Sequence, residues 1–285
     1  MLNTKDKTNT YSDVDAITSF RNAILEAGIT INEPIIADGE IHRFNNNKSG
    51  WYVCHGEYGA FGVWGKVDTV TWTLNNTKTM SPDERKQLSA KISQAKAVRD
   101  KELKAQHEAA AEQANNDWLK LKKTGKFEYL KRKQVKAYGV RFGKAAIAVP
   151  LRDIEGKVWN LQVIYHDGKK RFQKGGRKKG CFHVIGELKI NQTINVCEGY
   201  ATGASIYEAT GVTTVIAFDA GNLEPVISAI KSKHPNISIT IAADDDCFKE
   251  VNTGRIKAEE VANKHGCNVI FPEFCNTIKK GGSNA

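Results

Sequence analysis

The chain reads as an α/β protein. Its C-terminal part is a parallel sheet between helices, preceded by a basic mixed α/β subdomain, a long helical linker and a small β-rich N-terminal module. Three observations predict this. From residue 192 onward, Val/Ile-rich runs alternate with short amphipathic segments, the pattern of strands buried on both faces. Residues 81–122 turn to Ala, Lys, Glu and Gln with only a thin apolar stripe, as in an exposed helix. Before that, aromatic-rich runs are separated by Asn- and Gly-rich turns, as in a small antiparallel sheet. A length of 285 residues exceeds one ordinary core, and the expected division is 1–78, 79–124, 125–190 and 191–285.

The elements follow in order. Residues 13–30 have helical apolar spacing with Gly28 as the stop. Within 35–74, the runs IHRF, WYVCHG, AFGVWG and VTWTL are the strands of the small sheet. Trp51, Trp64 and Trp72 read first as its core and second as base-stacking groups. Cys54-His55 has no second ligand pair nearby, which argues against zinc. Ser81-Pro82-Asp83-Glu84 is a helix start, with a cap residue, Pro in the first turn and then acids. The stripe Leu88, Ile92, Ala95, Val98 is narrow, so the helix is a connector expected to pack at its Trp118-Leu119 end. KFEYLKRKQV is a short basic helix, and AIAVPLRD and KVWNLQVIYHD are strands joined at Glu155-Gly156. RFQKGGRKKGCFHVIG is a glycine-rich basic loop leading into a further strand. Thereafter TINVCEG, VTTVIAFDAG, ISITIAADDD and CNVIFPEF are strands, and ATGASIYEATG, EPVISAIKSKHP and GRIKAEEVANKHG are helices, the first ended by Gly211.

Composition narrows the function. Hydrophobic residues at 40% and charged residues at 26% are ordinary for a globular protein. No apolar run is long enough to span a bilayer, and MLNTKDKTNTYSD lacks the apolar centre of a signal peptide; a cytoplasmic location without a membrane partner is expected. Six cysteines without a CxxC pair read as reduced thiols, so no zinc is expected. The net charge is +10, and it is unevenly spread. From Gln192 onward there are eight basic and eleven acidic residues, leaving +13 for residues 1–191. Residues 120–144 hold ten Lys/Arg, Arg132 and Lys133 among them, with one acid, Glu128. Residues 169–180, KKRFQKGGRKKG, bring seven more (Lys169, Lys170, Arg171, Lys174, Arg177, Lys178 and Lys179) and no acid. One such run alone reads as a solvated face; two beside an acidic C-terminal part point to a phosphate-binding track. Phe127, Tyr129, Phe142 and Phe172 are interleaved with this charge. They would stack on unpaired bases or serve as core, and individually core is favoured.

Each C-terminal strand ends on acids or glycines: Glu198-Gly199, Asp219-Ala220-Gly221 and Asp244-Asp245-Asp246. Open α/β sheets carry their sites at the carboxyl ends of the strands. Carboxylates from three neighbouring strands would therefore converge, and such a cluster needs protons or a hard cation, Mg²⁺ or Mn²⁺. In an extended DxD, Asp244 and Asp246 point the same way and Asp245 away. Helix capping is the plainer account of any one of these acids, but not of all of them together. No P-loop, GxGxxG or GxSxG motif is present.

The order strand-Glu-Gly, strand, strand-DxD resembles the Toprim domain. INVCEGYATGASIYEATG, VIAFDAGNLEPV and IAADDDCFKEVNTGRIKAEEVA are similar to the Toprim domain of phage, plasmid and integrative-element DNA primases. Upstream, VPLRDIEGKVWNLQVI, GKKRFQKGGRKKGCFHVIG and GWYVCHGEYGAFGVWG resemble the segments that precede it there. The resemblance implies synthesis of short RNA primers on single-stranded DNA from ribonucleotides with Mg²⁺ or Mn²⁺. It implies Glu198 as acid/base or metal-linked carboxylate, Asp244 and Asp246 as metal ligands, and Asp219 and Asn222 lining the same site. Lys178 and Lys179 would contact phosphates, with Lys170, Arg171, Lys174, Arg177, Arg132 and Lys133 along the track. Three departures stand out: no Cys-rich zinc module, no fused helicase, and an end at Ala285 where relatives continue into further acids. A separate replicative helicase is then the implied partner, and a shortened chain or a site completed otherwise is the expectation.

Overall fold

The computed structural model describes residues 13–46, 48–64, 66–74, 81–189, 191–243 and 253–272. It divides into two compact units, Met1–Glu102 and Leu103–Ala285, and one 39-residue helix, α2 (Pro82–Lys120), contributes to both.

In the first unit, helix α1 (Asp13–Glu26) accompanies strands β1 (His42–Phe44), β2 (Gly50–Cys54), β3 (Tyr58–Val63) and β4 (Val67–Thr73). The strands form an antiparallel sheet in sequence order. Phe20 of α1 anchors it, edge-on to Tyr52, Phe61 and Trp72 at 5.0–6.0 Å. Trp51 and Trp72 are core. Trp64 is only half-buried: it stacks on Trp51 at 5.2 Å and lies under the Arg99 guanidinium.

The second unit holds two sheets. The middle sheet runs β5 (Arg141–Phe142), β6 (Ala146–Arg152), β7 (Val158–Tyr165), β8 (Lys170–Phe172), all antiparallel, with β8 at its edge. The short helix α3 (Glu128–Arg132) buries Tyr129 and Leu130. The end of α2 packs through Ala111, Ala114, Trp118 and then Leu121, whereas Leu119 is 70% exposed. The expected Trp118-Leu119 contact is corrected in that one residue. Positions 111, 114 and 118 share a helix face, and 119 is turned about 100° from 118.

The C-terminal sheet contains β9 (His183–Ile185), β10 (Thr193–Cys197), β11 (Thr214–Ile216), β12 (Ser238–Ala242) and β13 (Asn268–Ile270) in the order β13-β12-β10-β11-β9. Four strands are parallel, and β9 joins antiparallel to β11. Helices α4 (Tyr200–Thr210), α5 (Leu223–Lys233) and α6 (Thr253–His265) cover it. Strand alternation separates the faces. Ile194, Val196, Val215, Ala217, Ile239 and Ile241 pack with α5 and α6, while Cys197 and Ile216 pack with α4 and the middle sheet. Gly211 ends α4 in the left-handed conformation, φ +68°, which a side chain would strain. The expected boundary at 190/191 passes between β9 and the sheet that it joins.

His183 shows how β9 is held. It is buried, its Nε2 lies 2.9 Å from the Tyr138 carbonyl oxygen, and its ring sits where a Cβ on Gly139 (φ +61°) would meet Cε1 at 2.7 Å. Burial lowers its pKa to about 4. The unfolded chain therefore binds the proton that the folded chain refuses, so stability is full above pH 6.5 and falls as pH drops toward 4. The expected loss reaches about 3 kcal/mol below both values. Urea midpoints of the wild type and His183→Gln, compared at pH 7 and pH 4.5, check it: the fall in the wild type should exceed that in the variant.

Candidate active site

The site begins with strand register. Cys197 of β10 pairs with Ile216 of β11 and with Ala242 of β12, so three parallel strands end at one level and their following residues emerge together. Glu198 follows β10 directly, and its Oε1 is buried at the sheet edge. Ala217, Phe218 and Asp219 follow β11. Ala243 follows β12 as the last residue described there; Asp244, Asp245 and Asp246 lie outside the described residues. Among the described residues no three His, Cys, Asp or Glu side chains form a metal-binding group.

The turn after β11 is strained. Phe218 is buried with φ +75°, a region that bulky residues rarely occupy. Asp219 returns to extended backbone and its carboxylate accepts from the Lys178 ammonium. Both side chains are partly exposed, which keeps the pair's worth small. It nonetheless joins the basic loop to the strand end. Lys170, on β8, reaches the other strand end: its Nζ lies 4.0 Å from where a Cβ on Gly199 would be. The edge of the middle sheet therefore faces the acidic edge of the C-terminal sheet, with lysines opposite carboxylates.

Asn222 holds this arrangement from beneath. Expected among the ligand-contacting residues, it is 2% exposed and its amide is engaged by backbone. Oδ1 accepts from the Gly180 N–H at 2.8 Å, and Nδ2 donates to the carbonyls of Cys181 at 2.9 Å and Ala217 at 2.8 Å. It ties the end of the GGRKKG loop to the end of β11, one residue before Phe218. Tyr200 is likewise structural: fully buried, its hydroxyl accepts from the Tyr138 N–H at 2.7 Å and donates to the Tyr138 carbonyl at 3.2 Å. Burial pushes the neighbouring Cys181 thiol up to about 11, away from reactivity.

The remaining basic residues fall into groups. Arg177 stacks on Trp159 at 4.8 Å and donates to the Lys179 carbonyl. Lys179, Lys174 and Arg171 are exposed on the same segment. Arg132 donates to the His166 carbonyl at the β7–β8 turn, and Lys133 follows α3 on the surface. Of the four interleaved aromatics, Phe127, Tyr129 and Phe142 are core and Phe172 is exposed. The Phe218 strain, the Asn222 clamp and the exposure of Phe172 have no signal in residue type or spacing.

A family model described as the Toprim domain matches residues 193–269. Those residues are a Toprim domain. Its matched segment contains Glu198, Asp219, Asn222, Asp244 and Asp246, and it starts after β9, which completes the same sheet from upstream. A DNA primase TraC of Escherichia coli is 35% identical over 278 residues, covering 90% of this chain and 26% of that protein. A second DNA primase TraC of Escherichia coli is 36% identical over 260 residues, covering 84% of this chain and 18% of that protein. The chain thus spans about a quarter or less of the length of these relatives. A solved structure, the Aquifex aeolicus primase with its zinc-binding and RNA polymerase domains, superposes with a TM-score of 0.38 at 13% identity. It covers 96% of this chain and 83% of that one, and so loose a superposition carries no argument. Among the described residues no helix is long and apolar enough to cross a membrane.

Proposed function

We propose that this chain makes short RNA primers on single-stranded DNA by Mg²⁺- or Mn²⁺-dependent nucleotidyl transfer during replication or transfer of a mobile element. The observation that carries the reading is the meeting of the Toprim acidic edge with the lysine-bearing edge strand β8 and the GGRKKG loop, in a chain similar over most of its length to DNA primases. In the reaction a ribonucleotide 3′ oxygen bonds to the α-phosphorus of an incoming triphosphate, and pyrophosphate departs.

The residues present fit a hard cation. Glu198 places a buried oxygen at the strand end, and Asp244 and Asp246 would supply further oxygens from the same Toprim segment. Bound there, Mg²⁺ would neutralise charge on the transferring phosphoryl group. Glu198 would hold the ion or take the proton of the attacking hydroxyl. Lys178 and Lys179 would orient phosphates from the opposite side, with Asp219 setting the position of Lys178. Lys170, Arg171, Lys174, Arg177, Arg132 and Lys133 would carry the template backbone, an affinity without sequence preference. A separate replicative helicase is the proposed protein partner, the cytoplasm the proposed location, and zinc has no part in the reading.

The test is incorporation of labelled ribonucleotides on single-stranded DNA with Mg²⁺. Template-dependent product is expected from the intact chain, and its loss in Asp244→Ala/Asp246→Ala. No product from the intact chain, with salt-sensitive single-strand binding retained, would make it a binding module. Mg²⁺-dependent loss of the labelled strand would make it a nuclease.

A further inference from the structure

The most exposed aromatic ring of the basic segments lies at the site. Phe172 is 37% exposed, whereas Phe127, Tyr129 and Phe142 are buried. It is the aromatic member of the exposed large apolar side chains described. The ring stands partly open to water on an edge strand, against two groups of the site. Phe218, fixed in its strained turn beside Asp219, meets the Phe172 ring edge-to-face at 6.0 Å. The Lys178 ammonium, bonded to Asp219, lies 5.5 Å from the same ring centre. Strand pairing sets Phe172 opposite Gln162 and Arg171 opposite Val163, so the ring stands on the same face of β8 as Lys170, at the strand ends, and on the other face from Val163 and Arg171.

We infer that Phe172 is a stacking platform for an unpaired base of single-stranded nucleic acid, placed beside the acidic strand ends. The inference rests on the primase reading for its ligand class and adds the residue that grips a base. Charge chooses a strand over a single nucleotide. Residues 169–180 carry seven cations and no acid, before and after Phe172 in the sequence, more than one triphosphate can neutralise. Lysines and arginines then hold successive phosphates while the ring takes a base of any identity. The edge contact with Phe218 fixes the ring in advance, so little side-chain freedom is lost on binding.

The experiment titrates the intact chain with a labelled oligothymidine and with an abasic strand of equal length, by fluorescence anisotropy over a series of salt concentrations. The wild type is expected to prefer the base-bearing strand by roughly tenfold or more. Phe172→Ala and Phe172→Leu should lose that preference, although Leu still fills the space; Phe172→Trp should keep it. The salt slope should be the same in all four proteins, since no phosphate contact has been removed. Retention of the preference in Phe172→Leu, or its absence from the wild type, overturns the inference. So does a loss seen only in ATP affinity, which would give the ring to the incoming nucleotide. Primer synthesis measured in parallel separates the two ideas: incorporation without base preference sinks the stacking role alone, and base preference without incorporation sinks the primase reading alone.

Discussion

Glu198→Gln is expected to lower primer synthesis by about two to three orders of magnitude while leaving the fold and single-strand binding in place. The substitution keeps the shape of a side chain whose Oε1 is buried at the end of β10. What it removes is the negative charge. Without it, the edge shared by β10, β11 and β12 neither attracts a cation as strongly nor accepts a proton from an attacking hydroxyl. The measurement is single-turnover incorporation at saturating template, with circular dichroism and strand affinity as controls. A rate within a few-fold of wild type would remove Glu198 from the chemistry. A parallel loss of strand binding would mean that the carboxylate shapes the surface rather than the reaction.

Asn222→Ala is expected to destabilise the second unit by about 3 kcal/mol, by leaving the Gly180 N–H and the carbonyls of Cys181 and Ala217 without their amide partner. All three lie where water cannot readily replace the side chain, since Asn222 and its neighbours Cys181 and Ala217 are buried. Asn222→Asp should cost about as much, because a carboxylate still accepts from Gly180 but faces two carbonyl oxygens to which it cannot donate. Urea unfolding of the three proteins reads this directly. A loss below about 0.5 kcal/mol in both variants would show that the loop keeps its place without the clamp.

Much of the fold was legible because burial on both faces leaves a mark in composition. The Val/Ile runs of β10, β11, β12 and β13 and the helices between them announce a parallel sheet, and the turn residues Gly28, Glu155-Gly156 and Gly211 mark element ends by conformational necessity. Strand β9 was legible as a strand after the basic loop, but not its place in the C-terminal sheet: three residues, HVI, carry no record of which sheet they join, and only the open edge of β11 selects them. Leu119 and Trp64 escaped for a related reason: residue type says that a side chain can be buried, and the helix or strand phase decides whether it is.

The site divides in the same way. By itself the sequence determined that Glu198 and Asp219 follow two neighbouring strands, because topology sends the loops after parallel strands to one edge, and that the positive charge lies upstream of them. Only the tertiary structure decided which side chains meet. It paired Lys178 with Asp219, turned Asn222 inward as a clamp, and left Phe172 open while burying three other aromatics of the same segments. Those outcomes depend on contacts between residues about 40 positions apart, such as Lys178–Asp219 and Gly180–Asn222. Local spacing carries no record of them, because the partner surfaces exist only once both sheets have formed.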